Sequence, residues 1–437
     1  MKKNSNKKKA KKILFINPPR QEVIPKYFTQ YNLRYSNPWL TFSQPAALLR
    51  MVTYFRKQGW EVAMIDAGSE YLGHQTPVYH QGQRQCGNFN KKKIFEPVFR
   101  VGMSNDDFKK VLKKEKSPQE IFITSSFTYQ YEPIHDIIKI CKHVFPQSKI
   151  TLGGTYATLC PEHAKNSQAD KIFEGEFKET NDLPADFEIL KQKPHYSVIK
   201  FSRGCNQACS YCAVPLLEGR RISYRDFPNV LKEIKEKKKK YGINKIVFWE
   251  SNPCHDAENN IEVLLDLLIQ SKLNLEIFLP EGLSPAQLSL SLLYKMRKAG
   301  LKTITLALES SDNKILQKRF HKKHSMEDFK RCVKYVHQLN FSEVFVFILA
   351  GLPGENMRNI FDAVKRVEDE GFIPMLMPFT PIPKTEEYKK VFSRIKHKGL
   401  EDLHPLLWPC VESAVDYERL IKIYLYALNI KKNIGRF

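Results

Sequence analysis

Apolar runs of strand length alternate with helical patterns along most of this chain. Lys12-Ile-Leu-Phe-Ile-Asn17 is a short apolar run stopped by two prolines. Pro45 to Gln58 sets its apolar residues at helical spacing and is closed by Gly59, and Glu61 to Asp66 returns to a strand pattern. The strand Glu120 to Ser125, the helix Glu132 to Val144, the strand Lys149 to Leu152, the pair Gly153-Gly154 and the strand Lys171 to Phe173 continue the alternation. This order predicts a parallel, doubly wound sheet with helices on its faces. Residues 67–105 show no clear periodicity and are expected to be irregular.

A polar linker at 181–194 leads into a second alternating run. Its strands are expected near Ser197 to Ser202, Lys245 to Trp249, Leu275 to Leu279, Thr303 to Leu308, Glu343 to Leu349 and Ile373 to Pro378, with a helix in every gap. One of those helices starts after Ser284-Pro285 and ends at Gly300, which reads as a cap, a first-turn proline and a terminating glycine. Six β-α repeats predict an open, partial β/α barrel. In the helical C-terminal region, Tyr417 to Asn429 carries apolar residues at helical spacing that are expected to pack. The boundaries fall at 1–11 (basic tail), 12–180 (first sheet), 181–194 (linker), 195–390 (partial barrel) and 391–437 (helical appendage).

A length of 437 residues fits two domains. No apolar run approaches the roughly 20 residues that span a bilayer. Met-Lys-Lys-Asn-Ser-Asn-Lys-Lys-Lys-Ala at the start lacks the apolar core of a signal peptide, so a cytoplasmic protein is expected. Lys and Arg number 70 against 47 Asp and Glu, a net +23, with runs at Lys7 to Lys12 and Lys237 to Lys240. That balance suits an anionic partner such as RNA, or reflects solvated lysine-rich helix faces. Nine cysteines do not make a disulfide framework, because six are scattered (Cys86, Cys141, Cys160, Cys254, Cys332, Cys410).

The other three, Cys205, Cys209 and Cys212, follow the first barrel strand in one short loop. Iron–sulfur clusters are normally held by four thiolates, so three on one loop fix three irons of a 4Fe-4S cluster and leave the fourth open to another ligand. Structural zinc is the competing reading, but zinc wants four ligands, and no Cys or His pair follows at knuckle spacing.

This C-x3-C-x2-C loop, with Tyr211 before its last cysteine, resembles that of the radical S-adenosylmethionine (SAM) superfamily. In that family the amino and carboxylate groups of SAM occupy the open iron. The resemblance extends to segments at the other expected strand ends: Trp249-Glu250-Ser251-Asn252, Glu309-Ser310-Ser311 and Gly351-Leu-Pro-Gly354-Glu355. It implies SAM contacts at Tyr211, Glu250, Ser251, Glu309 and Ser310, and a close approach of backbone to a ring at Gly351. The family's usual Gly-Gly-Glu after the second strand is here Phe248-Trp249-Glu250.

Two branches of the superfamily compete. The segment Cys205 to Pro215, with Gly219 and Ser223, looks like the cluster loop of the tRNA methylthiotransferases. Those enzymes carry three more cysteines in their first domain, whereas here the first strand ends in Asn17-Pro18-Pro19 and Gly153-Gly154 stands where they have Gly-Cys. Cys141 lies inside a helical pattern and reads as a core thiol. The first domain resembles instead the cobalamin-binding module of the cobalamin-dependent branch. That likeness rests on Asn17 and Pro18, on Ser125, Ser126 and Thr128, on Gly153, Gly154 and Thr155, and on Glu174 and Gly175. The Asp-x-His-x-x-Gly signature of a cobalt-ligating histidine is absent.

The resemblance thus implies an enzyme with a 4Fe-4S cluster, SAM and cobalamin: a methyltransferase acting at an unreactive carbon of a small-molecule, peptide or RNA substrate, reduced by an external donor such as ferredoxin or flavodoxin. A methylthiotransferase-like tRNA-modifying enzyme and a non-catalytic RNA-binding or scaffold protein that retains the fold are the alternatives.

Overall fold

A computed structural model of the chain describes residues 11–23, 25, 44–68, 78–89, 92–192 and 194–434. The expected basic tail lies outside the described residues except for Lys11. Two compact units divide the chain, one holding most of the first 193 residues and the other Pro194–Phe437 together with short earlier segments.

The strands of the first half are β1 (Lys12–Asn17), β2 (Arg20–Val23), β3 (Glu61–Asp66), β4 (Val78–Phe89), β5 (Lys92–Val101), β6 (Glu120–Ile123), β7 (Lys149–Leu152) and β8 (Lys171–Ile172). The helices are α1 (Ala46–Lys57), α2 (Asn105–Leu112) and α3 (Tyr131–Val144). Five strands form one sheet in the order β3-β1-β6-β7-β8, with every pair parallel. β1 lies inside the sheet, between β3 and β6, and its Ile13, Leu14, Phe15 and Ile16 are all buried, as a strand covered on both faces requires. Each such side chain contributes about 1.5–3 kcal/mol on burial. Phe15 and Ile13 meet Leu48, Met51 and Val52 of α1.

Two expectations are corrected in this half. The stretch 67–105 is not irregular throughout, because it contains the neighbouring strands β4 and β5. β4 lacks the alternation that marks a half-buried strand, since Tyr79-His-Gln-Gly-Gln-Arg-Gln is polar almost continuously, and β5 is interrupted by Pro97. The segment read as a linker packs on the first sheet's helix. Ala185 and Phe187 are buried, Asp186 N donates to Leu49 O (3.0 Å), and Arg56 Nη1 donates to Asp186 Oδ2 (2.6 Å).

The second unit carries β9 (Tyr196–Ile199), β10 (Ser202–Arg203), β11 (Ser223–Tyr224), α4 (Phe227–Tyr241), β12 (Lys245–Phe248), α5 (Ile261–Ser271), β13 (Glu276–Phe278), α6 (Leu290–Ala299), β14 (Thr303–Glu309), α7 (Met326–Leu339), β15 (Glu343–Ala350), α8 (Met357–Asp369), β16 (Ile373–Pro378), α9 (Glu386–Ile395) and α10 (Ala414–Ile434). All six expected barrel strands are present. They form two parallel three-stranded sheets, β13-β12-β9 and β14-β15-β16. The seam between the sheets is stitched by Ile277 N to Gly300 O (3.0 Å), Leu283 N to Thr305 O (2.8 Å) and Ala307 N to Leu283 O (2.9 Å). Gly282 sits in this seam because a Cβ there would lie 2.8 Å from the Phe347 ring.

Ser284 is not the cap of α6. Pro285–Gln287 form an isolated 3-10 turn, and the helix begins at Leu290 under Ser289, whose Oγ accepts from Leu292 N (3.1 Å). Gly300 ends it as expected, at φ +120°. α10 packs on β16 and α8, burying Tyr417, Leu420, Ile423, Ala427 and Ile430. Among the described residues no helix is long and apolar enough to cross a membrane.

Candidate active site

The three-cysteine loop is closed at its neck by a two-residue antiparallel ladder, Ser202 opposite Tyr224 and Arg203 opposite Ser223. Gly204 turns the chain out of the ladder at φ +92°, where a Cβ would fall 2.3 Å from Arg221 O. Cys205 N then donates to Gly219 O (3.1 Å), and Cys212 N to Cys209 O (3.1 Å). Cys205 is buried, whereas Cys209 and Cys212 are partly exposed. Among the described residues no group of three His, Cys, Asp or Glu surrounds a single metal ion. A cubane asks for something else, one thiolate per iron.

Beside the cysteines, Tyr211, Glu309 and Lys322 form a hydrogen-bonded polar wall. Tyr211 Oη donates to Glu309 Oε1 (2.9 Å), and Lys322 Nζ donates to the same oxygen (3.0 Å) while lying 5.5 Å from the Tyr211 ring centre. A bulge at the end of β14, with Glu309 at φ +66°, re-aims this carboxylate. Burial works against the Lys322 charge, yet Glu309 and the neighbouring Cys209 and Cys212 hold the ammonium above its ordinary pKa. Lys322 was not singled out from sequence: it sits in a run of basic residues, and its placement depends on a one-turn π-helix at Ile315–Arg319.

Glu250 occupies a different place from the one the resemblance suggests. Its carboxylate is buried and faces backward onto the first barrel strand's end, accepting from Phe201 N (2.5 Å), Ser202 N (3.0 Å) and Ser202 Oγ (2.5 Å). Burial pushes it up to about 7, against Lys200 and those three donors. It braces the approach to the cysteine loop. Ser251 Oγ donates to Glu218 Oε2 (3.0 Å), and Glu218 is ion-paired with Lys200. Glu281, after β13, feels both of those groups, and burial pushes it up to about 7. Lys200, Glu218 and Glu281 thus join the barrel's polar interior, and sequence reading passed over them because none belongs to a spaced motif. Ser310 is buried and caps the following turn, its Oγ accepting from Asp312 N (3.1 Å). Gly351 does meet a ring, but that ring is Trp408: a Cβ would lie 2.7 Å from it.

In the first unit the five strands, numbered along the chain, stand in the order 2-1-3-4-5. Such sheets bind ligands outside the strand carboxyl ends where the order reverses, here between β1 and β6. Asn17 Nδ2 donates to Asp66 Oδ1 (2.8 Å), tying two strand ends together. Gly153 and Gly154 serve the fold itself. Ser125 Oγ donates to Gly153 O (2.6 Å), and Thr155 N donates to Ser125 O (3.0 Å). A Cβ on Gly154 would lie 2.3 Å from Ser125 O, so a bulky residue there would push the end of β7 and the Ser125 turn apart. Pro18 and Thr128 are buried, while Ser126, Glu174 and Gly175 are exposed. Phe127 is 45% exposed and stacks on Tyr129 at 5.3 Å, presenting a flat apolar face after β6.

Sequence reading also missed a half-buried chain in this unit. His135 Nε2 and Tyr156 Oη are 3.0 Å apart, and Tyr156 Oη and His163 Nδ1 2.7 Å. Burial and the neighbouring His163 and Lys139 push His135 down to about 4, and burial lowers His163. Cys141 is a buried core thiol in α3. The side chain of Cys86 lies outside the described residues.

Residues 199–367 match the radical SAM superfamily. A cytidylyl-2-hydroxyethylphosphonate methyltransferase of Streptomyces wedmorensis is 21% identical, over 84% of this chain and 78% of its own length. The threonylcarbamoyladenosine tRNA methylthiotransferase MtaB of Chlamydia pneumoniae is 28% identical over 51% of this chain, which spans about half (53%) of that relative. Among solved structures, the radical SAM methyltransferase TsrM from Kitasatospora setae, with cobalamin and a 4Fe-4S cluster bound, superposes with a TM-score of 0.60. It shares 14% identity and covers 88% of this chain and 75% of its own. The α/β fold, with its two parallel-sheet units, is therefore the one seen in that structure.

Proposed function

We propose that this chain, a radical SAM enzyme by its domain at 199–367, is a cobalamin-dependent methyltransferase acting at an unreactive carbon. The observation that carries the reading is that one chain holds both a three-cysteine loop after the first strand of a partial barrel and a parallel sheet whose strand order reverses between β1 and β6. The first relative above is similar across both halves and is a methyltransferase, whereas the methylthiotransferase is similar over about half the chain.

The donor set fits a cluster: Cys205, Cys209 and Cys212 would each take one iron, and the Lys322 charge acts on all three thiols. Asn17, Ser126, Phe127, Thr155 and Gly175 lie past the carboxyl ends of the strands and would take a flat macrocycle there, and Gly175 has nothing within 4 Å of where a Cβ would stand. When bound, these groups supply reductive cleavage of SAM to a 5′-deoxyadenosyl radical and a transferable methyl group. The chain's residues do the rest. Lys322 and Glu309 offer opposite charges to the two ends of a zwitterionic amino acid, Tyr211 holds Glu309 in place, and Glu250 stiffens the strand end from which the cysteine loop departs. The reducing electron would come from an external donor such as ferredoxin or flavodoxin.

Anaerobically purified protein should contain about four irons per chain and bind cobalamin. Replacing Cys205, Cys209 and Cys212 together with Ala should remove the iron and sulfide and leave cobalamin binding in place. A triple variant that kept its cluster spectrum would refute the cluster assignment. No cobalamin in reduced wild type would refute the methyltransferase, and about eight irons would favour a methylthiotransferase.

A further inference from the structure

Ser210 stands between Cys209 and Cys212 and is buried. Its amide donates to Phe320 O (3.2 Å), its carbonyl accepts from Glu387 N (3.0 Å), and its hydroxyl donates to Arg319 O (2.7 Å) and faces Glu387 Oε1 (3.3 Å). All three of its polar groups are therefore gripped by residues more than a hundred positions away in the sequence. Glu387 is wholly buried in the first turn of α9, where Thr385 caps the helix by accepting from Tyr388 N (3.2 Å). Its Oε2 accepts from Arg319 Nη2 (3.2 Å) and its Oε1 from Lys390 Nζ (3.2 Å). Arg319 is fixed in turn through Nη1 to Pro353 O (3.1 Å).

We propose that Glu387 and Arg319 are positioning residues for the iron–sulfur loop, acting through Ser210 to hold the turn from Cys209 to Cys212 at the spacing a cluster needs. The inference rests on the reading that this loop binds a cluster. The ladder of β10 and β11 anchors one side of the loop, and the Ser210 clamp anchors the other. A buried carboxylate between two cations costs desolvation, and removing one partner leaves charge uncompensated, so this network is a stiff anchor and not an adjustable one. Groups that orient ligands in this way typically change metal affinity about 10- to 100-fold when removed.

The test is the rate at which anaerobic, reconstituted full-length protein gives up iron to bathophenanthroline, read beside the melting temperature and the electron paramagnetic resonance line shape of the reduced cluster. Glu387→Ala and Arg319→Ala should each speed release about tenfold and broaden the signal, and the double variant should do no more than either single change. Glu387→Gln should restore only part of the loss, since it keeps one accepting oxygen but removes the charge between Arg319 and Lys390. Ser210→Ala, which removes one hydroxyl, should show the same direction and decides the matter if Glu387→Ala does not fold. Glu368→Ala is the control: it cuts the bonds of Glu368 to Lys365 (2.5 Å) and Tyr426 (2.5 Å) in the same unit and should lower the melting temperature without changing iron release. Release from the Ser210 and Glu387 variants at the wild-type rate, or accelerated only as much as in Glu368→Ala, overturns the proposal. Wild type without a cluster spectrum would instead sink the cluster reading itself, and the clamp with it.

Discussion

Lys322 is the residue on which the polar wall depends. Its side chain and that of Glu309 are 12% and 10% exposed, so neither charge is well hydrated and each relies on the other. Lys322→Met should therefore cost about 3–5 kcal/mol in denaturant unfolding, while Lys322→Met with Glu309→Gln should recover much of it. Both variants should lose most formation of 5′-deoxyadenosine from SAM, because opposite charges no longer face the amino acid. Full activity in the double variant would remove this pair from the site. At this scale the cysteines were legible because their spacing is itself the chemistry. Tyr211 and Glu309 were named through resemblance, and the structure joins them by a hydrogen bond beside the cysteine loop. Lys322, Glu218 and Lys200 were not, since a cation's role depends on which carboxylate lies across a barrel, and sequence spacing does not record that. Glu250 shows the converse: its position in the motif was visible, but its side chain turns back onto the backbone amides of 201 and 202.

Among the elements, strands buried on both faces announced themselves through unbroken apolar runs, and β1, β12 and β15 stand where the pattern put them. β4 was hidden by its polar composition and β5 by Pro97 and by buried Glu96 and Arg100, and the true cap of α6 was hidden because Ser284-Pro285 imitates a helix start five residues early. The His135-Tyr156-His163 chain joins α3 to the short helices after β7, and it makes stability pH-dependent. The folded His135 resists protonation until about 4, whereas in the unfolded chain it takes a proton near its ordinary 6.5. Between those values the unfolded state binds more protons, so stability should fall as pH drops through that window and should be fully present above it. Thermal unfolding of the full chain from pH 7.5 to 4 checks this. Replacing His135 with Gln should flatten the dependence, and an unchanged slope would exclude His135 as its source.

For the whole molecule, the charge of +23 remains the property least tied to the site. Of the run Lys237 to Lys240, Lys237 is buried and lies 5.8 Å from the Tyr241 ring centre, so fewer of these lysines face solvent than the sequence suggested. Binding to tRNA should accordingly be weak and fall steeply between 50 and about 200 mM salt, with neutralisation of Lys238 to Lys240 reducing the slope. A tight, tRNA-selective complex surviving that salt would make tRNA the substrate.

The two-residue ladder at the neck of the cysteine loop has a bearing on how the enzyme matures. Closing a loop costs entropy, and at this neck the backbone pairing of Ser202 with Tyr224 and Arg203 with Ser223 offsets part of that cost. A neck tied by backbone pairs and not by the cysteines themselves should let iron and sulfide be restored to a stripped loop without the barrel having to fold again.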